Sequence, residues 1–212
     1  MENFQTEEQQ VEAIKSFWSK NGNSVIAGLI IGFSGFIGFN YYQDNKLASE
    51  VAVSESYMNL QEKSEADPAA YTAEAEEFIK AHGQSSFASF TALSLAKDAV
   101  IQQDWAKAEA QLKVAIEKAP DEGVKAIAAL RLARIQMQTE QLDAALATLS
   151  QPLPSSFLAS IEVTKGDAYL LQGKNELARV AYQTAIDNKG LETHPNLQMK
   201  LDDLAEASTV LK

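Results

Sequence analysis

The order of apolar and polar positions divides the chain into two unlike parts. From Asn21 to Gln43 there is no Asp, Glu, Lys or Arg, and Val25 to Tyr42 reads VIAGLIIGFSGFIGFNYY. At about 1.5 Å per residue this uncharged run extends roughly 34 Å as a helix, enough to cross a hydrocarbon layer of about 30 Å. Beyond it, apolar residues recur three or four positions apart among Ala, Leu, Gln, Glu and Lys, the period of helices that bury one face. No stretch alternates in the manner of a strand bounded by turns. The pattern predicts an all-α protein: a single N-terminal transmembrane helix followed by an α-solenoid of helical repeats.

Helix breakers punctuate the second part at Asp67-Pro68, His82-Gly83, Pro120-Asp121 with Gly123, Pro152 and Pro154, Lys189-Gly190, and His194-Pro195. Between them the sequence repeats itself. The clearest unit holds Gly166, Tyr169, Gly173, Ala178, Tyr182 and Ala185. Ala133, Leu142, Ala145 and Leu149 stand at corresponding offsets, and so do Ala96, Trp105, Ala108, Leu112 and Ala115 before them. These are the offsets of tetratricopeptide (TPR) repeats, in which small residues let paired helices cross closely.

Repeats are therefore expected at 89–122, 126–159 and 159–192, within a TPR-like domain spanning 44–212. A degenerate helix pair over 47–63 and 68–82 precedes them, with Tyr57, Leu60, Tyr71, Ala75, Phe78 and Ile79 as its buried stripe. A capping helix at about 195–208 follows, with Leu197, Leu201 and Leu204 on one side.

The segment 1–20 carries Glu2, Glu7, Glu8 and Glu12, whereas a signal peptide has a short positive start, so the run at 21–43 reads as an uncleaved anchor. Lys15 and Lys20 precede it and Lys46 follows, a small bias that places the short tail in the cytoplasm. Ser24, Gly28, Gly32 and Gly35 lie along one side of this helix. Two readings stand for them: the ordinary frequency of glycine in membrane helices, or a groove for a neighbouring helix.

Charge and composition narrow the chemistry. The net charge is −11; four of the 29 acidic and two of the 18 basic residues precede Asp44, leaving about −9 on the remainder. Such a surface repels nucleic-acid phosphates. With no cysteine there is no disulfide, thiolate ligand or thiol nucleophile. His82 and His194 sit beside helix breakers, and the neighbouring acids Glu76-Glu77 and Asp202-Asp203 point in different directions on a helix. No catalytic, cofactor or metal site is expected from these spacings.

The candidate site is the inner wall of the repeats, formed in TPR stacks by the first helix of each pair. Its register runs through Phe90, Leu93, Lys97 and Ile101, then Ile127, Leu130, Arg134 and Met137, then Val163, Asp167, Leu170 and Leu171. Phe90, Lys97, Ile101, Ile127, Arg134, Met137 and Leu170 are the partner-binding candidates; the competing reading buries the apolar ones between helices. Lys97 and Arg134 suit an acidic or carboxylate-bearing peptide. The Lys/Asn/Arg clamp of some TPR arrays is not reproduced, since Leu93 and Ser160 stand at its positions.

The start MENFQTEEQQVEAIKSFWSKNG, the segment EFIKAHGQSSFASFTALSLAK and the repeat KGDAYLLQGKNELARVAYQTAI resemble the YfgM family, over essentially the whole chain. The resemblance implies a single-pass inner-membrane protein of Gram-negative bacteria with its repeat domain in the periplasm. It further implies an ancillary subunit of the SecYEG translocon, partnered with the chaperone PpiD and helping exported proteins towards periplasmic chaperones. The alternative function is regulatory, with the polar cytoplasmic tail of Glu7, Glu8, Gln9, Gln10 and Glu12 binding a stress-signalling partner; Phe17 and Trp18 lie near the membrane, where interfacial anchoring is the competing reading.

Overall fold

The structure, a computed structural model, describes residues 7–210, and every regular element among them is helical. Residues 1–6 of the expected tail, including Glu2, lie outside the described residues, as do 211 and 212. The chain forms two compact units, one ending at Ala52 and the other beginning at Val53.

Helix α1 spans Glu7–Ala66 without interruption. The expected helices at 21–43 and 47–63 are thus one helix, which also takes in most of the polar tail. The physical reason is the lack of any breaker: the link from Asp44 to Ala52 has neither proline nor glycine, and Lys46 Nζ pairs with Glu50 Oε1 one turn on at 3.8 Å. Asp67-Pro68 is the first sequence able to stop it. Among the described residues, α1 is the one helix long and apolar enough to cross a membrane.

In the second unit, the last turns of α1 present Val53, Tyr57 and Leu60 to Tyr71, Ala75 and Phe78 of α2 (Pro68–Ala81). Asp67 caps α2 by accepting from the Ala70 N–H at 3.1 Å. Then come three hairpins: α3 (Ser86–Ile101) with α4 (Trp105–Glu117), α5 (Glu122–Gln138) with α6 (Leu142–Leu149), and α7 (Leu158–Leu171) with α8 (Asn175–Asp187). A 3-10 turn at Ser155–Phe157 leads into α7. The short α9 (Gly190–Thr193) and the final α10 (Leu197–Val210) follow α8.

All three hairpins turn in the same way. Gln103, Glu140 and Gly173 occupy equivalent positions and all have left-handed backbones, with φ of 58°, 60° and 71°. The next residue's N–H then reaches back to a carbonyl of the finished helix: Asp104 to Ala99 at 2.8 Å, Gln141 to Gln136 at 2.8 Å and Lys174 to Tyr169 at 2.9 Å. This closes the last helical carbonyls and reverses the chain within a few residues. Asp104 also caps α4 through Lys107 N, and Asp121 caps α5 through Val124 N.

The core is made largely of small side chains. Ala96, Ala108, Ala133, Ala145 and Ala178 are buried where helices cross. Larger residues fill the spaces between the crossings: Leu112 and Leu132 in the first cluster, Leu130, Leu149 and Ile161 in the next, Tyr182 and Leu197 in the last. Buried hydroxyls are satisfied locally, with Ser89 Oγ donating to the Ala115 carbonyl and Thr148 Oγ1 to Gln136 Oε1, each at 2.8 Å.

Candidate partner-binding surface

The first helix of each hairpin buries one face and leaves another in solvent. On α3, Ala92, Leu95, Ala96 and Ala99 are buried, while Phe90, Lys97 and Ile101 are exposed at i, i+7 and i+11. On α5 the open stripe is Ile127, Arg131, Arg134 and Gln138, at i, i+4, i+7 and i+11. Ile101 is 70% exposed, unusual for an isoleucine in a packed array. The two helices share a core cluster, in which Ala96 and Ala99 of α3 and Leu132 and Ile135 of α5 meet over Ala108 and Leu112. Arg131 falls outside the wall register read from the sequence, although its place one turn before Arg134 is a readable signal.

Four residues of the expected wall lie elsewhere, the first being Leu93, which is partly buried against the cluster of Ala96, Ala99 and Leu112. Met137 is only partly exposed and packs on the cluster of Leu130, Ala133, Ala145, Leu149 and Ile161, so it belongs to the core. Leu130 and Val163 are buried outright. The cause at Val163 is α10, whose Leu197 and Leu204 join Val163, Ala178, Tyr182 and Ala185 in one cluster. The wall is therefore open along α3 and α5 and largely covered along α7, where Leu170 and Leu171 stay exposed at the far end.

The same covering binds Asp167. Its Oδ1 accepts from the Tyr182 hydroxyl at 2.6 Å and from Lys200 Nζ at 2.5 Å, tying α7, α8 and α10 together. Burial holds the Tyr182 phenol far above its ordinary value of 10.0, and the hydrogen bond to Asp167 and that carboxylate's charge add to the effect.

The other sequence candidates separate clearly. The His82 ring packs on Phe78 with centroids 4.8 Å apart, and His194 Nδ1 lies 2.9 Å from its neighbour Thr193 Oγ1. Among the described residues no three His, Asp or Glu side chains come together as a metal site would require. On α1, a Cβ added at Gly28, Gly32 or Gly35 would meet nothing within 4 Å, and Ser24 is exposed on the same side. That face is bare backbone.

Residues 15–206 match the family described as tetratricopeptide repeat-like domain. Over nearly the full length, the chain is similar to proteins named ancillary SecYEG translocon subunit. It is 33% identical to the one from Escherichia coli over 207 residues, covering 97% of this chain and all of that one. The Haemophilus influenzae protein is 33% identical over 198 residues (93% and 97% of the two chains), and the Neisseria gonorrhoeae protein 31% over 205 (93% and 97%). The chain belongs to the YfgM family.

The family match begins at Lys15, inside α1, and ends within α10. In this YfgM-family chain the anchor-like helix and the final capping helix are thus parts of the matched architecture along with the three hairpins.

Proposed function

We propose that the chain is a membrane-anchored, non-enzymatic adaptor of the SecYEG translocon. It sits in the bacterial inner membrane as a single-pass protein, with its N-terminus cytoplasmic and its repeat domain in the periplasm. There it docks a PpiD-like chaperone through the open faces of α3 and α5 and assists the transfer of newly exported polypeptides to periplasmic chaperones. The observation that carries this reading is the full-length similarity to ancillary SecYEG subunits, in a chain that joins a helix with an uncharged apolar stretch to a repeat array. The anchor's role is to raise the local concentration of the array beside its partners, where weak contacts then suffice.

In this reading the bare face at Ser24, Gly28, Gly32 and Gly35 receives a neighbouring membrane helix, because small residues let two backbones approach. The test is affinity purification of the full chain from detergent-solubilised membranes. SecYEG is expected to co-purify with the native sequence and to be depleted by Gly28→Leu with Gly32→Leu. Absence of SecYEG from the native preparation overturns the adaptor function, and unchanged recovery with the variant overturns the helix face.

A second reading rests on Val11, Ile14, Phe17 and Trp18, which are exposed on the α1 segment preceding the uncharged run. It makes that segment the docking site of a soluble signalling regulator. Photocrosslinking from Phe17 separates the two functions: capture of a soluble cytoplasmic protein favours regulation, and capture of translocon subunits alone favours the adaptor.

A further inference from the structure

Lys97, Arg134, Asp167 and Lys200 occupy one repeated position. They follow one another at intervals of 37, 33 and 33 residues, the spacings that also relate Ala96 to Ala133 to Gly166. In the last interval the two neighbours are complementary, and Asp167 Oδ1 receives Lys200 Nζ at 2.5 Å. In the first interval both residues are cations. Nearby lysines are neutralised within the fold: Lys107 by Glu76 at 3.5 Å, Lys113 by Glu109 at 2.8 Å, Lys118 by Glu117 at 2.9 Å and Lys125 by Glu122 at 3.3 Å. Lys97, Arg131 and Arg134 are exposed and have no carboxylate partner among the described residues.

We propose that Lys97 and Arg134, with Arg131 beside them, form a seat for a carboxylate side chain of a partner protein segment. The seat would supply from outside what Asp167 supplies within the last interface. This rests on the α3 and α5 faces being the docking surface, and it specifies what docks there. The occupant is a segment carrying Asp or Glu among apolar residues, because Phe90, Ile101 and Ile127 are exposed on the same stripes as the cations. A polyanion such as nucleic acid is a poor fit to a domain with a net charge of about −9, whereas one or two carboxylates meet only the local cations. Arg134 offers a planar fork to a carboxylate and Lys97 a point charge, so together they fix both position and orientation.

The experiment uses the full chain in phosphatidylcholine nanodiscs and fluorescence anisotropy of a fluorescein-labelled peptide of alternating Asp and Leu. A matched peptide of alternating Asn and Leu is measured alongside it, with empty nanodiscs subtracted. The Asp peptide is expected to bind at least about tenfold more tightly than the Asn peptide, with a preference that shrinks as salt rises. Lys97→Glu with Arg134→Glu should remove the preference, and Lys97→Gln with Arg134→Gln should weaken it with the helical circular dichroism unchanged. Lys174→Glu with Lys189→Glu, at exposed cations of other elements, should leave it intact. Equal affinity for the two peptides, or equal loss in the Lys174/Lys189 variant, overturns the seat. Displacement of the peptide by unlabelled protein alone would make a second copy of the chain the occupant and overturns it too. SecYEG recovery is scored separately, so equal affinity of the native chain for the two peptides with intact recovery rejects the seat and leaves the adaptor function standing.

Discussion

A Cβ placed on Gly166 would overlap the ring of Tyr182, so the glycine of α7 exists to admit the tyrosine of α8. At the equivalent positions of the other hairpins stand Ala96 with Leu112 and Ala133 with Leu149, all buried. The chain thus keeps the summed volume of the pair while changing its division. Gly166→Ala should cost about 1–3 kcal/mol through overpacking. Tyr182→Leu in the same chain should recover much of that loss by recreating the pairing of the other hairpins. Urea denaturation of both single variants and the double variant measures the coupling, and simple additivity would contradict it.

Gln103 and Glu140 hold left-handed backbones that only a glycine adopts freely, and Gly173 shows the solution the third hairpin uses. Gln103→Gly and Glu140→Gly should each raise stability by about 0.5–1 kcal/mol, because relief of the Cβ clash outweighs the added freedom of the unfolded chain. Gly173→Gln should lower stability by a similar amount. Thermal unfolding of the three variants checks the signs.

Asp104 and Asp121 each satisfy an N–H of the helix they precede, at 3.0 Å and 2.9 Å. Replacement of either by Ala should cost about 1 kcal/mol, and replacement by Asn much less. If Ala and Asn variants unfold at the same denaturant concentration, the caps are not stabilising.

Stability should fall at alkaline pH in a way that depends on Tyr182. Its phenol is held protonated in the folded state well above the value of 10.0 it has when free. Above about pH 10 the unfolded chain releases this proton and the native one retains it, so the contribution present below pH 10 is lost as pH rises. Tyr182→Phe should therefore flatten part of the decline in melting temperature between pH 9 and pH 11. An identical decline in both proteins would rule this out.

The parts of the fold legible in the sequence are those that recur. The small residues at Ala96, Ala133 and Gly166 mark helix crossings because a repeat must solve the same packing problem each time. The left-handed turn was visible only at Gly173, since Gln103 and Glu140 adopt it without a diagnostic side chain. The continuity of α1 was hidden by the contrast in polarity at Gln43, which changes the environment of a helix without ending it. Helical period placed Met137 on the wall beside Arg134, yet packing of α6 and α7 draws it into the core. For Asp167 and Lys200, one further step of the repeat interval predicts the pair, but the loosened sequence after Pro195 obscures that last step.

Nearly all packing joins helices that are adjacent or next but one along the chain. Each hairpin is closed by its own turn, so little of it waits on residues far ahead. A chain that emerges end first, from a ribosome or a channel, can complete one hairpin while the next is still being delivered. Having no cysteines, it undergoes no disulfide pairing as it does so. A protein built in this way matures hairpin by hairpin, in the order in which its chain is delivered.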